Sequence, residues 1–138
     1  MEMPVVLVVE GEALIRMGAI LMVQDAGFEA VAVCNADEAI TIMEAQSGIG
    51  AVFTGIRMSG SMNGLALARV IHDRWPPIHL IVASGPDVPA NRELPANGRF
   101  IRKPYTGEQL SVVLLELFSL NLESELLAAQ AYNCATIN

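Results

Sequence analysis

The side chains able to do chemistry in this sequence stand where apolar runs end. Glu10, Gly11 and Glu12 follow PVVLVV, Gly55 to Asn63 follow AVFT, Ser84 and Gly85 follow IHLIVA, and Lys103 and Pro104 close GRFIRK. In an open parallel sheet, ligands and reactive groups sit at the carboxyl ends of the strands. A carboxylate (Glu10), a hydroxyl (Ser84) and an ammonium (Lys103) are therefore candidates for one shared rim. The run AVFT instead delivers Gly55, which has no atom with which to attack, accept or coordinate. The rest of the chain offers no substitute. Cys34 and Cys134 lack metal or redox spacing, His72 and His79 are isolated, and there is no Gly-rich phosphate loop or Ser/His/Asp set.

The elements that must carry these residues alternate between two apolar periods. PVVLVV (4–9) is a β-branched run of the kind buried on both faces. Residues 12–26 follow as a helix whose apolar face is drawn by Leu14, Gly18, Leu21 and Met22, with Gly27 ending it. FEAVAVC (28–34) is a second strand, and Asn35 with Glu38 opens a helix through about Gln46 that turns Ala39, Ile40 and Met43 inward. AVFT (51–54) is the third strand, and a helix over 64–74 stops at Trp75-Pro76-Pro77. IHLIVA (78–83) and GRFIRK (98–103) are the fourth and fifth strands. Thr106 with Gln109 caps a last helix that carries Leu110, Val113, Leu114, Leu117 and Phe118 at helical spacing. Alternation of this kind predicts an α/β fold with a parallel sheet covered on both faces, and right-handed crossovers put every strand-to-helix loop on one edge.

Two segments break the pattern. SGPDVPANRELPANG (84–98) holds three prolines and no apolar helical face, so a loop is expected where a fourth helix would fall. After residue 119, Leu122, Leu126, Leu127 and Ala131 mark a further amphipathic turn or two, able to pack back on the domain or to join two copies as a homodimer. The expected organisation is one domain over 1–119 with an extension over 120–138. At 138 residues, 53% hydrophobic and 17% charged, the chain can fill a core. A net charge of −7 with scattered Lys and Arg argues against nucleic acid. No apolar run approaches the roughly 20 residues that a membrane span needs, and no secretory signal pattern opens the chain, so the expectation is a cytoplasmic protein.

VLVVEGEALIRM, AVFTGIRMSGSMNGLALA, IHLIVASG and FIRKPY, in this order and spacing, resemble the receiver domain of bacterial two-component response regulators over about residues 4–119. The SMNGLALA and KPY segments further resemble single-domain receivers of alphaproteobacterial type. The resemblance implies a doubly wound, five-stranded, flavodoxin-like fold. It also implies an aspartate at the carboxyl edge that takes a phosphoryl group from a histidine kinase with Mg²⁺, and a kinase or output protein as partner. Glu10 and Gly11 fall at the two acidic metal-site positions, Gly55 at the phosphoacceptor, Ser84 at the hydroxyl position and Lys103 at the lysine position. Pro104 follows that lysine, as a proline that is often cis in relatives, and Phe100 falls at the aromatic switch position.

Two of the carboxylates that the pattern implies are thus glycines. Without them, neither phosphorylation at position 55 nor Mg²⁺ binding at ordinary concentrations is expected, because Mg²⁺ is normally held by carboxylates in a near-octahedral oxygen shell. Glu10 would instead face Lys103, Thr54 would pack in the opposite layer, and Arg57 could reach toward the vacated space. The expectation is a non-enzymatic, cofactor-free pseudo-receiver acting by protein contact, with Phe100 and Tyr105 on the interface built from 84–98, the last strand and the last helix. The alternatives are an inactivated variant of a phosphorylatable single-domain regulator, and a small enzyme on a flavodoxin-like scaffold.

Overall fold

The computed structural model describes residues 4–85, 94–95 and 98–119. Five strands, β1 (Val5–Val9), β2 (Glu29–Val33), β3 (Ile49–Gly55), β4 (His79–Ser84) and β5 (Gly98–Arg102), form one sheet of order β2-β1-β3-β4-β5. Every neighbouring pair is parallel. Helices α1 (Ala13–Asp25), α2 (Ala36–Ala45) and α3 (Gly64–Arg74) alternate with the strands, and a fourth, α4, covers residues 107–119. The doubly wound, flavodoxin-like architecture expected from the sequence is the one observed. The 84–98 segment, expected as a loop in place of a helix, lies mostly outside the described residues, as does the extension over 120–138.

Strand alternation divides the core into two layers. Leu7, Val9, Val52, Leu80 and Val82 face α2 and α3, where they meet Ala39, Met43, Leu67 and Ile71. Val6, Val8, Phe53, Ile81 and Ala83 face α1 and α4, where they meet Ala19, Val23, Leu110 and Leu114. All of β1, β3 and β4 except Gly50 is buried, which is why these stretches read as continuous apolar runs.

Local chemistry sets the helix ends. The Asn35 carboxamide accepts from Glu38 N at 2.9 Å while Glu38 Oε1 accepts from Cys34 N at 2.8 Å, tying off the start of α2 from both sides. Thr106 and Gln109 form the reciprocal pair expected at the start of α4, at 2.9 and 3.1 Å. Asn63 caps α3 by accepting from Ala66 N at 2.9 Å. Gly27, with φ of 96°, turns the chain out of α1.

The orientation of α1 departs from expectation. Leu14 and Leu21, read as its inward face, are 84% and 59% exposed, while Ala19 and Val23 are buried. The reason lies in the helix itself. Its sequence, ALIRMGAILMVQD, is apolar nearly all round, so helical spacing alone does not distinguish its two sides. The small Ala19 and the β-branched Val23 settle onto the sheet, and the longer side chains are left outside.

Gly64 is the point where the frame admits no side chain. A Cβ there would stand 1.7 Å from the carbonyl oxygen of Gly55 and 2.8 Å from its carbonyl carbon. Gly64 N meanwhile donates to Ile56 O at 2.8 Å, drawing the first turn of α3 against the end of β3. Gly64→Ala is therefore expected to cost about 3 kcal/mol in urea denaturation, through forced backbone displacement. Gly11→Ala, whose Cβ meets nothing nearer than Cys34 O at 3.7 Å, is expected to change stability by no more than about 0.5 kcal/mol.

Candidate functional site

The carboxyl edge of the sheet gathers Glu10 after β1, Gly55 at the end of β3, Ser84 at the end of β4, and Lys103 after β5. The Glu10 side chain is only 12% exposed, and both of its oxygens are engaged. Oε2 accepts from Glu12 N at 2.9 Å, serving the amino end of α1 in place of a side-chain N-cap. Oε1 lies 3.9 Å from Lys103 Nζ. Arg16 closes the same turn from behind, donating through Nη1 to Glu10 O at 2.9 Å.

Position 55 sits beside both members of this ion pair. A Cβ built on Gly55 would lie 3.3 Å from Glu10 Oε1 and 4.0 Å from Lys103 Nζ. Neither Gly55 nor Gly11 has a positive φ, in contrast to Gly27, Gly48 and Gly60. Backbone conformation therefore does not require glycine at either position. The space over Gly55 is a cavity of about 10 Å³ bounded by Glu10, Phe53, Ala83 and Tyr105, no more than one water would fill.

The other candidates are placed as follows. Thr54 is buried, and its hydroxyl donates to Gly55 O at 2.8 Å and lies 3.8 Å from Met58 Sδ, on the α2/α3 side, which fits a packing role. Ser84 is buried at the end of β4, but Ala83 rather than Ser84 walls the cavity. Its carbonyl accepts from Lys103 N at 2.8 Å, which fixes the lysine's backbone, and the Lys103–Pro104 peptide is cis. Arg57 is exposed and lies outside the cavity wall. Phe100 packs against the α2/α3-side core and borders a groove between β5 and α4. Tyr105 turns into the other layer, edge-on to Phe53 with ring centroids 5.4 Å apart. The two aromatics expected on one interface thus pack into different layers of the core.

One contact escaped the sequence reading. Asp37, in the first turn of α2, accepts from the Ser61 hydroxyl and from Ser61 N, the latter at 3.3 Å. It holds the loop after β3 at Gly60, where φ is 110°. The signal was present as an acid beside a Ser-Gly-Ser loop, but a separation of 24 residues hid the pairing.

The donor set bears on Mg²⁺. Among the described residues, no group of three or more His, Cys, Asp or Glu side chains could hold a metal ion. Glu10, the carboxylate at this rim, is already shared between an ammonium and a backbone amide. The residues present do not fit a Mg²⁺ centre of the usual oxygen-rich kind.

A doubly wound sheet whose carboxyl rim carries an acid, a hydroxyl and a lysine followed by a cis proline defines a class of signalling domain. The family model for the response regulator receiver domain matches residues 6–114, and the chain belongs to that family. It is a receiver domain of two-component signalling. The chain is 31% identical over 115 residues to the sensor kinase CckA of Brucella abortus, covering 81% of this chain and 12% of that protein. It is 30% identical over 113 residues to the putative response regulator NtrX-like of Rickettsia bellii, covering 79% and 23%. The chain thus spans less than a quarter of the length of either curated relative. A response regulator receiver protein from Sinorhizobium medicae superposes with a TM-score of 0.78 at 26% identity, covering 86% of this chain and 96% of that one.

Tyr105 reports on the rim. Burial, and secondarily the charge of Glu10, raise its phenol above the ordinary value of 10.0. In Glu10→Gln, the Tyr105 titration followed by ultraviolet difference absorbance should move down yet stay above that ordinary value, since burial is the larger cause. The native state holds this proton after the unfolded chain has released it. Tyr105 therefore withdraws stability as pH rises above about 10, and Tyr105→Phe should flatten that decline.

Proposed function

We propose that this receiver domain signals through protein contact, without accepting a phosphoryl group at position 55 and without Mg²⁺. The observation that carries the reading is the geometry at the end of β3. The point from which an acceptor carboxylate would project lies 3.3 Å from Glu10 Oε1 and 4.0 Å from Lys103 Nζ, and Gly55 supplies no atom there. An acyl phosphate needs a carboxylate oxygen to attack phosphorus, and glycine has none. Thr54, the nearest hydroxyl in sequence, is buried and turned toward Met58. Its partner would be a histidine kinase or an output protein, met in the cytoplasm, and the domain itself would perform no catalysis.

The electrostatics favour the same reading. Three crowded carboxylates repel one another unless a cation is bound. Here one carboxylate faces one ammonium, and the local charge is already balanced. The pair is worth little as stability, about 0–1 kcal/mol with Lys103 partly exposed, but it occupies the approach to position 55.

A second reading, that an otherwise working receiver frame has lost its two acids, is favoured by the room at both glycines. A Cβ at Gly11 has its nearest neighbour at 3.7 Å, and one at Gly55 meets a side-chain oxygen rather than backbone. Incubation with acetyl phosphate and Mg²⁺, read by intact-mass spectrometry, should leave the natural chain unmodified. A stable gain of one phosphoryl group would overturn the proposal. The double variant Gly11→Asp/Gly55→Asp should gain both the phosphoryl mass and Mg²⁺-dependent thermal stabilisation if only the acids are missing.

A further inference from the structure

Among the described residues, the outer face of α1 is apolar and uncovered. Leu14 is 84% exposed, and Met17 and Leu21 are each 59% exposed. At 3.6 residues per turn these three, with Gly18 and Asp25, fall within about 100° of one another, on the side away from the buried Val23. Arg16 and Asp25 are the only charged residues of the helix, and Arg16 is turned back onto the Glu10 carbonyl. The same apolar surface continues sideways into a groove of about 520 Å³ bordered by Ile15, Gly18, Met22 and Tyr105.

Gly18 is a notch in this face. Glycine inside a helix lowers stability relative to alanine. A Cβ built on Gly18 would meet nothing within 4 Å, so no contact in the described domain requires a glycine there. The distance at which two helices pack is set by the side chains at their contact, and a glycine shortens it.

The sequence about the notch is nearly symmetric. Counted outward from Gly18, Met17 answers Ala19, Ile15 answers Leu21, and Leu14 answers Met22. Arg16 answers Ile20, and its bond to Glu10 O withdraws it from the outer face. A two-fold axis at Gly18 therefore lays a second, antiparallel α1 against the first with apolar residues opposed. Leu14 then stands beside Met22 of the second copy, and Ile15 beside its Leu21. The ends of the helix fit as well. α1 has no acidic residue in its first turn. Its exposed Asp25 would arrive at the amino end of the second copy's helix, opposite Gly11, where the helix dipole is positive. Glu12 would fall opposite Gln24 rather than another acid.

We propose that two copies of this chain associate reversibly through α1, antiparallel, about a two-fold axis at Gly18. An isologous contact needs a self-complementary patch, and this face is one. The exposed parts of Leu14, Ile15, Met17 and Leu21 amount to roughly 400 Å² on each copy. That is about half of what each partner gives to an interface of standard size. The dimer is accordingly weak, with a dissociation constant of about 10–100 µM, and a protein that docks on α1 meets only the monomer. The pairing does not depend on whether position 55 takes a phosphoryl group.

Sedimentation equilibrium of the full chain from about 1 to about 500 µM should follow monomer passing into dimer. Gly18→Leu fills the notch and should weaken association about tenfold or more. The melting temperature of the dilute chain should hold or rise, since a Cβ there is unopposed and leucine favours helix. The axis can be placed by cross-linking in chains carrying Cys34→Ser and Cys134→Ser. A mixture of Leu14→Cys and Met22→Cys chains should form the disulfide dimer about tenfold faster than Leu14→Cys alone, because only the mixture brings two thiols to opposed positions. A chain that stays monomeric at about 500 µM would overturn the proposal. So would a dimer that Gly18→Leu leaves intact, or a mixture that cross-links no faster, since the copies would then meet through another face or in another register.

Discussion

The end of β3 lies beside a carboxylate and an ammonium, and that placement sets what a side chain at position 55 would meet. Glu10 is held at the end of β1 by the amide of Glu12, and Lys103 at the end of β5 by the carbonyl of Ser84. Their separation of 3.9 Å is thus set by strands three places apart in the sheet rather than by their mutual attraction. A pair at this separation with one partner partly exposed adds little to folding. Its importance is positional: any side chain entering at position 55 arrives beside both charges at once.

The frame around that point is fixed by close backbone contact and by hydrogen bonds at its loop and helix ends. Gly64 is demanded, because the backbone of Gly55 occupies the place of its side chain. Asp37 holds the loop after β3 through Ser61, and Asn63 caps the helix that follows. Gly11 and Gly55, by contrast, adopt backbone conformations open to any residue. The three glycines look alike in sequence. One is a structural necessity, and the other two are not.

The apolar outer face of α1 poses a different kind of constraint. Burying Leu14, Met17 and Leu21 would remove an appreciable apolar area from water, and nothing in the described domain does so. The rim is close to charge balance, and among the described residues this face is uncovered. Tyr105 joins the two regions, bordering the cavity over Gly55 on one side and the α1 groove on the other.

The sequence by itself determined the order of strands and helices along the chain, the capping residues Asn35 and Thr106, and the convergence of Glu10, Gly55 and Lys103 at one rim. These are local patterns or consequences of right-handed crossover, and period-two or capping signals carry them in full. Tertiary structure alone decided which side of α1 is buried, because a helix apolar all round has no preferred face until Ala19 and Val23 meet the sheet. It alone paired Asp37 with Ser61, and sent Phe100 and Tyr105 into different layers. It alone separated the glycine that backbone contact requires from the two that it does not. Such distinctions depend on which atoms from distant segments come to lie within a few ångströms, and no spacing along one chain encodes that.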